Sequence, residues 1–240
     1  MIGFRNLDDN DPALKHSPLL NAVEKTFAYI AEHGSIGLTP STAFKRNFVH
    51  WAAAEFNWPS YTAKELFRVN KVLNELDFMP LADIHALLLG LKIGRHYKGQ
   101  FKLTKAGQSL VNQRGRLFGI ITPAYLFELD HAYFGRFDDS PLGNWDMYLN
   151  VLNVETEDGA TGLEIRHVLY GERHPEDHFD RILSGLYIHI LRPLCGAGLL
   201  HEQRAENSYR TEESIFTKTP LWRAALRLDT DSNIKSATRH

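Results

Sequence analysis

Apolar residues recur at helical spacing in Leu19, Leu20, Val23, Phe27, Ile30 and Ala31, with Asn21, Glu24, Lys25 and Glu32 opposite. Ser17 stands where a helix N-cap belongs, so a helix is predicted from there to the break at Gly34 and Gly37. A second helix is predicted from Ser41 or Thr42, with Phe44, Phe48, Trp51, Ala52 and Phe56 on one side. It stops at Asn57-Trp58-Pro59, because proline has no N–H and disfavours helical backbone before it. A third helix is expected over about Thr62 to Leu76, with Leu66, Val69, Val72, Leu73 and Leu76 inward. A fourth, apolar nearly all round, follows Pro80 over about Leu81 to Leu91. Residues 1–17, rich in Asn, Asp and Pro, read as an arm or loose cap.

The period then changes. Lys92 to Tyr97, Lys98-Gly99-Gln100 and Phe101 to Thr104 predict strand, tight turn and strand, with Thr104 capping a short helix from Lys105 to about Val111. A weaker copy stands near the C-terminus. A helix ends at Ala197 to Leu200, His201 to Arg204 reads as a strand, and Ala205 to Glu213 as a turn. Ile215 to Trp222 then returns into a closing helix. The stretch Tyr97 to Gly107, with its basic-Gly turn and Leu-Thr-x-x-Gly exit, resembles the wing of bacterial winged-helix regulators. The first unit is also similar to helical domains associated with plasmid Orf-3-like proteins. The resemblance implies a mainly α (α+β) fold of two winged-helix-like units and a role in DNA binding and transcription regulation.

Between the two units, residues 120–162 carry Tyr125, Phe127, Tyr133, Phe134, Phe137, Trp145 and Tyr148, too aromatic for a free linker. Helices are expected at about Pro123 to Tyr133 and Asn144 to Leu152, with a turn at Asp138 to Gly143, and the aromatics are expected to pack the units together. The division is therefore 1–119, 120–162 and 163–240, with 229–240 polar and frayed.

The single cysteine, Cys195, lies in an apolar stretch and reads as a buried packing residue in a reducing compartment. With no signal-like N-terminus and no apolar run long enough for a bilayer, the expectation is a soluble cytoplasmic protein without a membrane partner. Net charge is −2, but residues 1–120 carry +5 and residues 121–240 carry −7. No acidic residue lies between Asp83 and Glu128, while Lys92, Arg95, Lys98, Lys102, Lys105, Arg114 and Arg116 all do. Such asymmetry points to nucleic-acid phosphate, with Tyr97 and Phe101 placed to pack on sugar or unpaired base. A solvated basic face with those aromatics turned inward suits the same residues.

The fourth helix, which a helix-turn-helix protein would lay in the major groove, offers only Asp83 and His85 as polar groups, and Asp83 repels phosphate. The C-terminal turn is acidic through Glu202, Glu206, Glu212 and Glu213. His174 and His178 stand four apart, but Pro175 reads as a helix start and no third ligand has metal-site spacing. Asp130-His131 reads as a local hydrogen bond before a catalytic dyad, and no phosphate loop or nucleophile elbow is present. The expectation is a nucleic-acid-associating regulator with no enzyme activity, cofactor or metal. The alternative is a winged-helix protein-interaction module, with the apolar segment Phe179 to Leu194 available for a homodimer or protein partner.

Overall fold

A computed structural model describes residues 3–133, 141–173, 179–204 and 211–237. The fold is α+β and mainly helical, and it divides into two compact units, residues 7–129 and residues 1–6 with 130–240. The expected connector 120–162 is thus shared between them at residue 129. Among the described residues no helix is long and apolar enough to cross a membrane.

The chain opens with β1 (Gly3–Phe4), which belongs to the second unit. In the unit 7–129 a 3-10 turn at Pro12–His16 is capped by Asp11 and buries Ala13 and Leu14, so this segment is not a loose arm. Helix α1 (Pro18–His33) starts at the Ser17 cap and ends at Gly34, whose φ of 77° is the left-handed conformation glycine tolerates. Strand β2 (Ile36–Gly37) follows. Helix α2 (Arg46–Glu55) begins later than the apolar spacing predicts, because residues 38–44 close a turn bridged by Leu38 and Phe44. Thr42 takes a left-handed φ of 64° inside that turn.

Helix α3 (Ala63–Val69) is half the predicted length. It starts with a Thr62/Glu65 capping box but Asn70 turns extended, and Asn74 and Asp77 cap a separate 3-10 turn at Glu75–Asp77. Asparagines compete with the helix by bonding nearby backbone. Of the five residues expected inward, only Leu66 and Leu73 are buried, and Val69 is 77% exposed. Helix α4 (Met79–Gly90) carries Pro80 in its first turn. Strands β3 (Gly94–Tyr97) and β4 (Gln100–Leu103) form the hairpin, turned by Lys98 and Gly99, both at positive φ, the signature of a type I′ turn. Helices α5 (Lys105–Ser109) and α6 (Arg114–Phe127) complete the unit. Helix α6 begins nine residues before Pro123, which lies inside it, and the carbonyl left without a donor is that of exposed Gly119. Phe44, Phe48, Phe56, Phe78 and Phe101 form the core, each burial worth about 1.5–3 kcal/mol.

In the second unit α7 (Trp145–Glu155) starts at the Asn144 cap and leads to β5 (Ala160–Thr161) and α8 (Gly162–Tyr170). Helix α9 (Arg181–Leu186) passes through a π turn, Tyr187–Leu191, into α10 (Arg192–Ala197). The widened turn lies just before Pro193, which has no N–H for the ladder. Leu183, Leu186, Ile190, Leu191 and Leu194 of this segment are buried within the chain, whereas Phe179 and Ile182 are exposed. Strands β6 (Leu200–Gln203) and β7 (Ile215–Lys218), α11 (Pro220–Ala225), β8 (Leu226–Arg227) and α12 (Asp231–Ala237) follow. Strand β8 pairs with β1, and Asp231 accepts from Asn153 Nδ2 at 3.1 Å, so the segment expected to fray from residue 229 is ordered through α12.

The two units repeat one connectivity. The sheet order is β2-β4-β3 in one and β5-β7-β6 in the other, all antiparallel, with the short strand on the second hairpin strand. Thr104 donates its N–H to Ile93 and its hydroxyl to Lys92, and its oxygen caps α5. Thr219 does the same with Leu199, Gly198 and α11.

Candidate nucleic-acid interface

Strand alternation divides the β3–β4 hairpin into two faces. Phe101 and Leu103 are buried, so Lys102 lies on the opposite side, and the register places it directly across from Arg95. Tyr97, on the same side as Arg95, is 47% exposed. Its ring centroid lies 5.5 Å from the Arg95 guanidinium and 5.3 Å from Lys98 Nζ. The hairpin tip is therefore an aromatic ring between two cations, with a third cation across the ladder. Like charges facing each other across strands are destabilising. Among the described residues no carboxylate pairs with Arg95, Lys98 or Lys102 to offset this.

The other sequence-predicted cations divide. Lys92 and Lys105, at the two ends of the hairpin, are exposed and without an ion pair among the described residues. Arg114 is bound to Glu24 at 2.8 Å, and Arg116 donates to Gln113 Oε1 at 3.0 Å from the exposed side of α6. Phe101, expected among the cations, is buried under the hairpin against Phe44.

Beneath the hairpin lies a chain of groups that spacing along the sequence does not announce. Glu75 is buried, and its carboxylate accepts from Phe44 N–H at 2.5 Å and lies 2.5 Å from His85 Nδ1. The His85 ring stacks on Phe44, centroids 3.8 Å apart, and its Nε2 lies 2.8 Å from Nε2 of His96 on β3. A neutral His85 that gives its Nδ1–H to the carboxylate would accept at Nε2 from His96 Nε2–H. Burial, then the neighbouring His85, hold the His96 imidazole below its ordinary value of 6.5, with Glu75 acting the other way. The signal available in the sequence was His85 itself, the one imidazole in an apolar helix, since a buried polar group needs partners.

The C-terminal hairpin differs. Arg204 Nε donates to Glu202 at 2.8 Å and the Tyr187 hydroxyl donates to the same carboxylate at 3.1 Å, so this cation is neutralised. Burial, then Glu202, push the Tyr187 phenol well above its ordinary value, and burial does the same to the Cys195 thiol. Asp130 accepts from Ala132 N–H in a local turn, and the His131 carbonyl accepts from Arg192. Phe134, Phe137, Asp138, Asp139, His174, Pro175, His178 and Glu206 lie outside the described residues.

Residues 15–116 match the family described as the Y4jL N-terminal domain, and residues 135–220 the y4jL C-terminal domain. The uncharacterized protein y4jL of Sinorhizobium fredii (strain NBRC 101917 / NGR234) is 34% identical over 164 residues, spanning 67% of this chain and 74% of that protein. No solved structure matches the chain.

Proposed function

The chain belongs to the y4jL family, and on that premise we propose that it associates with nucleic acid in a regulatory role, gripping phosphates through the β3–β4 hairpin. The observation that carries this reading is the cross-strand pair Arg95 and Lys102, held across the ladder beside Lys98 and Tyr97, with no carboxylate paired to them among the described residues. A phosphate oxygen between two such cations relieves their repulsion and gains charge-assisted hydrogen bonds. In the same reading each unit is a winged helix and β3–β4 is the wing, a view supported by the shared strand order and the matching threonine caps.

The contacts proposed are to backbone and not to base edges. Helix α4, in the place of a recognition helix, buries Leu81, Ile84, His85, Leu87 and Leu88, and its surface presents Ala82, Asp83 and Ala86. Binding of this kind is insensitive to base sequence and weakens steeply with salt.

Fluorescence anisotropy with labelled random-sequence duplex and single-stranded DNA across a salt series tests this. Binding lost in an Arg95→Glu, Lys98→Glu, Lys102→Glu variant of unchanged circular dichroism is the expected result. Equal affinity of variant and parent would sink the hairpin assignment.

A second reading, a protein-interaction module, is favoured by Phe67, Val69, Val72 and Leu76, four exposed apolar side chains within ten residues of the N-terminal unit. It predicts a defined oligomer by light scattering that persists in high salt, and a strict monomer would count against self-association.

A further inference from the structure

A cavity of about 260 Å³ opens in the second unit, where the N-terminal strand brings Arg5 against the C-terminal elements. We propose that it binds a small organic monocarboxylate with a short apolar tail, held by Arg5 and Arg223. This site shares no residue with the β3–β4 hairpin.

The floor of the cavity is a polar network fixed from several elements. Asn153 on α7 is buried. Its side chain accepts from Trp222 Nε1 at 2.8 Å and donates to Thr230 Oγ1 at 3.0 Å and Asp231 Oδ1 at 3.1 Å. Lys218 ends β7 with its side chain only 5% exposed, donates to the Asn153 carbonyl at 2.6 Å and forms an ion pair with Glu157. The repeat indicates that the fold does not require this lysine. Thr104 and Thr219 are matching caps, and where Lys218 precedes Thr219, buried Leu103 precedes Thr104. Burying an ammonium carries a desolvation cost, and an apolar side chain of similar volume often serves stability as well. What Lys218 does instead is engage one oxygen of Glu157, whose other oxygen meets Arg223.

Charge then sets what the cavity accepts. The charged groups lining it are Arg5, Arg223, Glu157 and Asp231, and Lys218 adds a further cation against Glu157, so by formal charge one positive is in excess. Asp231 is spent locally, accepting from Asn153 and from Leu228 N–H at 3.1 Å. Arg5 Nε donates to the Leu226 carbonyl at 3.1 Å, but its Nη2 stands 3.9 Å from Asp231, too far for a hydrogen bond. Arg223, largely in solvent, meets Glu157 through Nη2. Two guanidinium forks thus line one small cavity, and their planar geometry matches a carboxylate. Leu226 and Ile234 supply an apolar wall for the tail. With a water's share of liquid at about 30 Å³, the volume suits a ligand of roughly nine heavy atoms or fewer, which excludes a nucleotide. A single surplus charge favours a monoanion over phosphate or a dicarboxylate.

The test is titration of the full chain with pentanoate, followed by calorimetry and by nitrogen–proton NMR, with pentanol, glutarate and inorganic phosphate as comparisons. Pentanoate is expected to bind saturably, about tenfold or more tightly than pentanol, and to move the Trp222 indole signal and the Nε–H signals of Arg5 and Arg223. Arg5→Gln and Arg223→Gln, both on solvent-facing side chains, should each weaken pentanoate about tenfold with circular dichroism unchanged. Lys218→Met should fold and also lose affinity, because Glu157 would then cancel the charge of Arg223. Absence of saturable pentanoate binding overturns the assignment. So does undiminished affinity in both arginine variants, or tighter binding of phosphate or glutarate than of pentanoate. Should Lys218→Met fail to fold, the two arginine variants still decide.

Discussion

Gly107 shows what one residue contributes where two elements meet. A Cβ there would lie 2.3 Å from the Ile93 carbonyl oxygen, because α5 packs directly on the base of the hairpin. The Leu-Thr-x-x-Gly segment thus has a physical content. Leu103 is buried, Thr104 caps the helix, and Gly107 lets its first turn approach the backbone of Ile93. Gly107→Ala should cost about 1–3 kcal/mol, the usual range for overpacking, measured by urea denaturation. Gly90 is the converse. It closes α4 with open space where a Cβ would stand, nothing lying within 4 Å, and its φ is not positive, so Gly90→Ala should stabilise by about 0.4–1 kcal/mol. A loss at Gly90 equal to that at Gly107 would refute the steric account.

Between elements, the ion pair joining α8 to the start of α9 is the most exacting contact. Arg166 and Asp180 have side chains each 4% exposed, with Nε and Oδ2 2.9 Å apart. Asp180 also caps α9 through Leu183 N–H at 2.9 Å, and Arg166 donates to the Gly171 carbonyl. Removing one partner strands the other without water. Asp180→Ala should therefore cost about 3–5 kcal/mol, whereas Arg223→Ala, on a side chain 68% exposed, should cost less than about 1 kcal/mol. Comparable losses in the two variants, read from denaturation midpoints, would show that Arg166–Asp180 is hydrated in solution.

Over the whole molecule, net charge conceals the arrangement that matters. The chain carries −2, yet Lys92, Arg95, Lys98, Lys102 and Lys105 cluster on one hairpin and its flanks with no ion pair among the described residues. The C-terminal hairpin instead neutralises Arg204 with Glu202. If three to five of these cations meet phosphates, log affinity should fall against log salt with a slope of about −3 to −4.5 for duplex DNA. A slope near zero, with binding retained, would point to apolar contacts through Phe67, Val69, Val72 and Leu76 instead.

The sequence by itself determined what depends on neighbours along the chain. Ser17 and Thr104 were readable as caps, Lys98-Gly99 as a tight turn, and the cation run as a basic surface, since each rests on backbone chemistry or composition within a few residues. The repeated hairpin was readable for the same reason. Length and depth were less so. Helix α3 stops at Val69 because Asn70 and Asn74 bond locally, and Val69, Val72 and Leu76, apolar at helical spacing, are left exposed. Only the tertiary structure decided the rest. It spent Arg114 on Glu24, 90 residues away, paired Arg95 with Lys102 across the ladder, and joined Glu75, His85 and His96 into one chain. Those groups sit on three different elements, and a buried carboxylate finds its imidazole through the packing of the core, which spacing along the chain does not encode.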